Sequence, residues 1–429
     1  MSPLVLFALF ALLLVLAVPI AFSLGIASVL PTVFDPNFAV SAKYLIRSMV
    51  SGLDSFPLLA IPMFILSGIL MARGGISKRL FDIFSYFFGH HTAGMPCAVI
   101  VTCLFYGAIS GSAPATVAAV GGMSIPILLS LGYEKNFITS VVAVAGGLGV
   151  IIPPSIPFIM YGMASGSSVS DLFIAGIIPG LLIGGILMIY VYIHCRIHGE
   201  DRERIDAEMD RLHARGFRSV FREGFLSLLC PVIILGCIYS GITSPTEAAA
   251  ISVFYALIIS IFFYRTLTWR DLPSLLGEAV RTFAPLLFLL AVSTAFSRVL
   301  TLMEVPQTLS LRLADSIENP ILLLLLLNAF LLLVGMVMDT TPAILILTPI
   351  LLPIIAAVGM DPIHFGVILV VNLAIGFVTP PVGVNLFVAS SLTDIPIMTI
   401  VKHALPMIFC FLLALLLLTF IPSLSLALL

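Results

Sequence analysis

The chain has 429 residues, of which 61% are hydrophobic and only 9% are charged, and its mean hydropathy is +1.23. Soluble domains carry about 25% charged residues, and a soluble fold cannot bury this much apolar surface. The composition therefore excludes a soluble protein and predicts an all-α, polytopic membrane protein.

The chain begins with an apolar stretch that carries no charge. Residues 1–34 contain no Lys, Arg, Asp or Glu, and neither does the chain after Lys402. The run from Leu4 to Ala21 resembles a signal-peptide core, but no basic residue precedes it, so we interpret it as the first membrane span. Uncharged ends tolerate translocation, which predicts that both termini lie on the outer side of the membrane.

Two short apolar stretches lie between residues 93 and 131, interrupted at residues 110–114. Each is short for a full span, which needs about 20 residues, and the interruption carries hydroxyls rather than a solvated loop. Two tight spans and a re-entrant hairpin that turns back in mid-membrane are the alternatives. We favour the hairpin, with its tip at residues 110–114.

The next apolar segment is broken between residues 146 and 155, which read GGLGVIIPPS. A proline inside a helix removes a backbone donor and clashes with the preceding turn, and clustered glycines weaken the helix further. The segment is therefore predicted to unwind. In lipid, the freed backbone groups survive only beside a protein-lined cavity.

One long polar stretch separates the two halves of the chain. Residues 196–223 hold seven arginines and seven acidic residues, and the positive-inside rule places such a segment in the cytoplasm. We take residues 194–223 as a charged cytoplasmic linker, between a first repeat at 1–193 and a second at 224–429.

The second half repeats the landmarks of the first. Gly107–Pro114 matches Gly335–Pro342 at an offset of 228, and the Pro153-Pro154 pair matches Pro380-Pro381 at an offset of 227. The sequence therefore predicts a second hairpin tip at 338–342 and a second helix break at 376–385. With outer termini and an inner linker, each half crosses the membrane an odd number of times, which makes the repeats inverted.

The tips and the breaks offer opposite chemistry. Thr341 before Pro342 is predicted to be the N-cap of a half-helix, whose free amides and positive dipole end suit an anion such as a carboxylate. The unwound stretches offer free carbonyls, which suit a hard cation such as sodium. Since one helical return path joins tip and break, each tip is expected against the break of its own half. The result would be two sodium sites beside one solute site.

The candidate residues follow from this symmetry. The first cation site is assigned to Ser110, Ser112, Gly149, Ile152 and Pro154. The second is assigned to Asp339, Thr340, Gly376, Thr379 and Pro381. The solute site is assigned to Ser155, Asn385, Thr116, Thr341 and Arg298. For Arg298, snorkelling to the interface and pairing with Glu304 are the alternatives, and for Glu247, beside Pro245, a helix-start role is at least as well supported as transport.

Several motifs together resemble a known family. Gly52–Pro62 (GLDSFPLLAIP), Gly241–Ala250 (GITSPTEAAA) and the two Pro-Pro breaks resemble the large membrane subunit of tripartite ATP-independent periplasmic (TRAP) transporters. The resemblance covers essentially the whole chain and leans weakly towards the sialic acid branch.

The resemblance implies a fold of the ion-transporter-superfamily type that works as an elevator, with two or more Na+ sites coupled to a sodium gradient. It implies a separate small four-helix membrane subunit and a periplasmic binding protein that delivers an organic acid, of the sialic acid or C4-dicarboxylate class. The expected location is the bacterial inner membrane, with periplasmic termini. No catalytic residue and no nucleic-acid partner is expected.

Four other functions are alternatives for such a chain. A stand-alone sodium–dicarboxylate symporter of related fold would need no binding protein. An intramembrane hydrolase using Ser110 or Ser112 lacks the Gly-x-Ser-x-Gly spacing. A passive channel is expected to expose a continuous polar path. ATP-driven transport is disfavoured because the chain has no Gly-x-x-x-x-Gly-Lys-Ser/Thr phosphate loop.

Overall fold

The computed structural model describes residues 3–34, 38, 41–309 and 319–429. All regular elements in this part of the chain are helices, which confirms the predicted all-α class. The first half forms α1 Pro3–Val15, α2 Ile20–Phe34, α3 Ala42–Leu53, α4 Phe56–Arg73, α5 Ile76–Phe88, α6 Gly94–Ser110, α7 Ala113–Ser130, α8 Lys135–Val150, α9 Ile156–Ser165 and α10 Val169–His198.

The linker and the second half form α11 Arg202–Ala214, α12 Phe217–Tyr239, α13 Pro245–Phe263, α14 Leu272–Leu302, α15 Pro320–Val337, α16 Thr340–Ala357, α17 Pro362–Gly376, α18 Val384–Thr393, α19 Ile397–Phe420 and α20 Ser423–Leu426. Within the described residues, 9 helices are long and apolar enough to cross a membrane: α4, α7, α10, α12, α13, α14, α15, α16 and α19.

The predicted duplication appears as a repeated order of helices. Helices α15 to α19 follow the order of α6 to α10, and each begins about 227 residues after its counterpart. In both halves a hairpin (α6–α7 and α15–α16) precedes a broken helix (α8–α9 and α17–α18) and one long helix (α10 and α19). The sequence therefore predicted both the hairpins and the discontinuous helices.

The hairpins and broken helices form the interior. Nearly every residue of α8 and α17 is buried, including Val144 and Val371. Both helices are mostly apolar, and they lie inside the protein rather than on its lipid-facing surface. Large apolar side chains on the outer helices are exposed instead, such as Phe22, Val232 and Phe263. This pattern is expected of a protein whose outer surface meets lipid rather than water.

The proposed linker boundaries fall inside helices. Residues 193 and 194 lie within α10, and residues 223 and 224 lie within α12. Helix α11 lies between them and is charged, in accord with the polar composition of 196–223. Helix α10 has 30 residues, which gives a length of about 45 Å, so its start lies far from the linker.

Glu200 fastens the linker to the base of the first hairpin. Its carboxylate accepts hydrogen bonds from the Ala93 amide at 3.0 Å, the Tyr133 hydroxyl at 2.6 Å and Arg202 at 2.9 Å. The Glu200 side chain is only 2% exposed. A charge this deeply buried keeps its place only when its hydrogen bonds are satisfied.

Glu200→Ala is expected to lower the free energy of unfolding by about 3 kcal/mol, because the Tyr133 and Arg202 groups would lose a buried partner. The measurement is the temperature at which the detergent-purified protein loses its monodisperse gel-filtration peak. Glu203→Ala, on the exposed face of the same linker, is the control and should leave that temperature unchanged. Equal effects of the two changes would contradict the proposed fastening.

Candidate solute and cation site

The first hairpin packs its tip directly against the first helix break. The chain turns at Gly111, whose φ of +59° is a conformation that favours glycine. A Cβ added to Gly107 would lie 2.6 Å from the Cα of Gly149, so backbone meets backbone at this point. The Ile156 amide, just past the break, donates to the Gly111 carbonyl at 3.3 Å.

The second hairpin repeats this contact at the matching positions. A Cβ added to Gly376 would lie 2.3 Å from the carbonyl carbon and oxygen of Gly335. The Val382 amide, within the second break, donates to the Met336 carbonyl at 3.1 Å. Each tip thus lies against the break of its own half, as the sequence analysis expected.

Oxygen atoms gather at the first tip. The Ser110 hydroxyl lies 3.1 Å from the Thr116 hydroxyl, which donates to the Ser112 carbonyl at 2.8 Å. Thr116 Oγ1 is also within 2.3 Å of where a Gly149 Cβ would stand. Since Pro153 has no amide hydrogen, the Gly149 carbonyl loses its usual helical donor. The arrangement offers the hydroxyl and carbonyl oxygens that a hard cation prefers.

The other two residues assigned to the first cation site lie beside this group. The Pro154 carbonyl faces the tip, 2.9 Å from where a Gly111 Cβ would stand. The Ile152 side chain packs away from it, onto Gly180 of α10. Any part that Ile152 takes in cation binding would therefore belong to its backbone.

Asp339 begins the second half-helix. Its carboxylate accepts the Thr340 amide at 2.6 Å and lies 3.3 Å from the Thr340 hydroxyl. The prediction that Thr341 is the N-cap was wrong by two residues, because the Asp339 carboxylate takes that place and is favoured there by the helix dipole. The Asp339 residue is exposed, whereas Thr340 and Thr341 are buried.

The remaining residues of the second cation site lie around the break. Gly376 ends α17 against Gly335, as described above. The Thr379 hydroxyl, within the break, donates to the Ile375 carbonyl at the end of α17 at 2.7 Å, and Pro381 is exposed.

Both hairpin tips open onto one cavity of about 710 Å3, which we call the tip cavity. Its volume is in the range of small-molecule sites. The polar residues that line it are Arg73, Tyr106, Ser110, Ser112, Glu278, Thr282, Asp339, Thr340 and Thr341. Its other walls come from the C-terminal half of α4, up to Arg73, and from the N-terminal half of α14, so both tips face other helices of the bundle.

The residues assigned to the solute are not all brought together. Thr341 lines the tip cavity. Thr116 does not line the tip cavity; its hydroxyl contacts Ser110 and Ser112 of the first tip. The Ser155 hydroxyl donates to the Val150 carbonyl at the end of α8 and accepts a hydrogen bond from the Phe158 amide at 3.4 Å. Ser155 is therefore the N-cap of α9.

Asn385 and Arg298 lie elsewhere. The buried Asn385 amide donates to the Ala143 carbonyl at 3.1 Å, which joins the second break to α8 of the first half. Arg298 lines a different cavity at the other end of α14.

A family model described as "Tripartite ATP-independent periplasmic transporter, DctM component" matches residues 7–424. The chain belongs to this family. It is therefore a transport permease rather than an enzyme, and it is a multi-pass membrane protein. Membership of the family implies a periplasmic binding protein and a small membrane subunit.

Individual relatives agree with the family. The chain is 44% identical, over 98% of its length, to the isethionate TRAP transporter permease protein DctMQ of Oleidesulfovibrio alaskensis, of which it spans 65%. It is 41% identical to the C4-dicarboxylate TRAP transporter large permease protein DctM of Pseudomonas aeruginosa, covering 95% of this chain and 93% of that protein. It is 35% identical to the sialic acid TRAP transporter large permease protein SiaM of Vibrio cholerae, covering 96% and 94%.

A solved structure agrees in fold. The YdaH transporter of Alcanivorax borkumensis superposes with a TM-score of 0.66, covering 93% of this chain and 96% of that chain at 14% identity. At this identity the likeness concerns the fold alone, which is that of a membrane transporter.

The wall of the tip cavity opposite the two tips carries charged residues of the permease that the sequence did not identify. There Arg73 of α4 and Glu278 of α14 form an ion pair of 3.3 Å between side chains that are 64% and 45% exposed. The available signal was the position of both charges at the end of long apolar runs, where ionisable residues are functional candidates. An exposed pair of this kind adds less than about 1 kcal/mol to stability.

Thr116→Val is expected to reduce cation-dependent transport several-fold with little loss of protein, because valine keeps the volume but removes both hydrogen bonds of the first tip. Loss of such buried bonds costs about 1–3 kcal/mol. The measurement is initial uptake in proteoliposomes against sodium concentration. Thr102→Val is the matched control, since among the described residues the buried Thr102 hydroxyl bonds only the Ala98 carbonyl of its own helix, at 2.6 Å. A larger loss in the control would contradict the role of Thr116.

Proposed function

We propose that the chain is the large membrane subunit of a sodium-coupled transporter that takes up a small organic acid delivered by a periplasmic binding protein. One observation carries the proposal: two duplicated half-helix tips, each seated on the helix break of its own half, share a single cavity. Discontinuous helices that meet in this way bring amides for an anion and carbonyls for cations to one place.

Two oxygen-rich groups support the sodium coupling. The first consists of Ser110, Ser112, Thr116 and the Gly149 carbonyl. The second has the Asp339 carboxylate, exposed at the second tip, with Thr340 beside it. Since the described lining of the tip cavity carries Glu278 and Asp339 against Arg73 alone, its net charge of −1 favours entry of cations together with the acid.

The solute is proposed to be a small organic acid. The start of α16 faces the tip cavity, and a helix N-terminus favours a negative group. Three relatives are named for isethionate, C4-dicarboxylates and sialic acid, which share an acidic group. Identities of 44%, 41% and 35% favour no member of this class enough to name the solute, and the sialic acid branch gains no special support.

The mechanism is proposed to be an elevator built from inverted repeats. Helices α4 and α14 line the tip cavity at one end and the cavity that contains Arg298 at the other. From Glu278 to Ser293 along α14 is about 22 Å at 1.5 Å per residue. If the hairpins slide along α4 and α14 by this distance, the tips move from one cavity to the other.

We further propose that the permease lies in the bacterial inner membrane, with residues 194–223 in the cytoplasm and both termini in the periplasm. A small four-helix subunit is the expected membrane partner. The exposed apolar surface of the outer helices leaves room for a partner and for lipid alike.

The test is uptake by proteoliposomes that contain the chain and its small subunit, with and without the binding protein. The solutes offered are succinate, isethionate and N-acetylneuraminate, under an inward sodium gradient or an equal potassium gradient. We expect one of these acids to accumulate only with sodium and the binding protein. Accumulation without any binding protein would favour the stand-alone symporter, and accumulation in potassium would contradict sodium coupling.

A further inference from the structure

A second cavity, of about 770 Å3, lies at the other end of α4 and α14, and we call it the outer cavity. It differs from the tip cavity in its lining, which is rich in hydroxyl groups. The serines and threonines that line it include Ser55, Ser168, Ser244, Ser293 and Thr301. In the proposed elevator motion it is only the place to which the tips move, and no ligand has been assigned to it.

The outer cavity is positively charged. Of the described residues that line it, Arg298 alone carries a charge. Arg298 is exposed and has no ion-pair partner among the described residues, so the alternative pairing with Glu304 does not form. The tip cavity, lined by Arg73, Glu278 and Asp339, has the opposite net charge. A cavity wall of low dielectric strengthens the field of such an unpaired cation.

Helix starts add to this field. Ser55 precedes the first turn of α4, Ser168 caps α10 and Ser244 caps α13, and all three line the outer cavity. Each helix directs the positive end of its dipole towards the cavity, and Asp171 in the first turn of α10 offsets part of this field. The acid nearest to the start of α13, Glu247, is held by the Ser244 amide and hydroxyl at 2.7 and 2.8 Å, which confirms a helix-start role for it.

One buried hydroxyl group of the outer cavity has no hydrogen-bond partner among the described residues. The Ser293 residue is 1% exposed and lines the cavity, yet its hydroxyl forms no hydrogen bond with any described residue. Buried hydroxyls without a partner are rare because they lose their bonds to water without compensation. Ser293 lies five residues before Arg298 on α14, and none of the described residues accepts its hydroxyl hydrogen.

A thin apolar layer separates the two cavities. On α14, Leu286 lines the tip cavity and Leu290 lines the outer cavity, a spacing of about 6 Å. On α16, Thr341 and Leu345 take the same places. The outer cavity also adjoins the start of α10, about 45 Å from the linker end of that helix, so it lies on the side away from the charged linker.

We infer that the outer cavity is a second binding site, for small organic anions, in which Arg298 supplies the counter-charge and the Ser293 hydroxyl donates a hydrogen bond. An anion held there lies one thin layer from the path of the hairpin tips. Identifying the anion with the transported acid rests on the proposed function. The site itself rests on charge, helix starts and the unpartnered hydroxyl.

The first test measures the charge of the outer cavity without any transport. Thr301→Cys, one turn from Arg298, is introduced into the full chain after the 6 natural cysteines have been replaced. Its reaction rates with an anionic and a cationic methanethiosulfonate are compared at low salt. We expect the anionic reagent to be favoured by about tenfold and the preference to disappear in Arg298→Gln. Arg281→Gln, an exposed arginine of the same helix that lines neither cavity, should leave it unchanged.

The second test measures binding, with succinate as the probe. Millimolar succinate should slow the reaction of Thr301→Cys with a neutral thiol reagent at least threefold, and both Arg298→Gln and Ser293→Ala should remove this protection. Equal amounts of neutral erythritol should give none. No charge preference, or no protection by succinate, overturns the second site. Both readouts are independent of uptake, so the second site can hold even where sodium-coupled transport fails, and the reverse.

Discussion

Replacing Gly376 by alanine is expected to reduce transport at least tenfold and to lower the stability of the permease. The added methyl carbon would stand 2.3 Å from the carbonyl carbon and oxygen of Gly335. Backbone atoms cannot turn away as a side chain can, so the second hairpin must move off the break on which it rests. Forced overpacking of this kind costs about 3 kcal/mol, and it displaces the Asp339 tip from the cavity.

The measurement combines initial uptake in proteoliposomes with the temperature at which the gel-filtration peak is lost. Gly236→Ala on α12 is the matched control, because an added Cβ there meets nothing within 4 Å; it should retain both values. Gly107→Ala should behave like Gly376→Ala, since its Cβ would stand 2.6 Å from the Cα of Gly149. Normal uptake by both Gly376→Ala and Gly107→Ala would show that the hairpins need not contact the breaks.

The two halves could be aligned from sequence because the signals are local and chemical. A Pro-Pro pair beside glycines breaks a helix in any surroundings, and a tip at residues 110–114 or 338–342 follows from the shortness of the apolar stretches around it. The offset of 227 or 228 then carried the interpretation of one half over to the other. The close pairs Gly107–Gly149 and Gly335–Gly376 explain the duplication physically, since both halves need the same side-chain-free contact.

The walls of the cavities could not be predicted in the same way. Arg73 and Glu278 are 205 positions apart in the chain and meet only because α4 and α14 pack side by side. Polar residues near the breaks were also ambiguous, since a buried polar group must bond something. Ser155 and Asn385 bond the backbone within the protein, and no sequence pattern distinguishes that use from contact with a solute.

The opposite charges of the two cavities give a physical basis for the proposed transport of an anion together with cations. The tip cavity carries a net negative charge and the oxygen-rich tips, whereas the outer cavity carries an unpaired arginine and the starts of three helices. Under the proposed function, an anion would be attracted to the outer cavity first. It would gain a favourable place at the tips only once cations offset the charge of Asp339, which would couple the two fluxes.

Asp339→Asn is therefore expected to weaken sodium activation of uptake by about tenfold, which corresponds to about 1.4 kcal/mol. Asparagine is as good an N-cap as aspartate, so the Thr340 amide keeps its partner and α16 still begins at the same residue. What is lost is the negative charge at the second tip. The measurement is the sodium concentration that gives half-maximal uptake in proteoliposomes, together with protein yield.

Asp361→Asn provides the matched control for the loss of charge. Asp361 also caps a helix and is also exposed, accepting the Ile363 amide at 2.7 Å and the His364 amide at 3.2 Å, but it does not line the tip cavity. Its substitution should leave sodium activation as it was. If the two variants shift the half-maximal sodium concentration equally, the carboxylate of Asp339 acts only as a cap. If Asp339→Asn alone shifts it, the charge acts on the cation, because the cap is common to both positions.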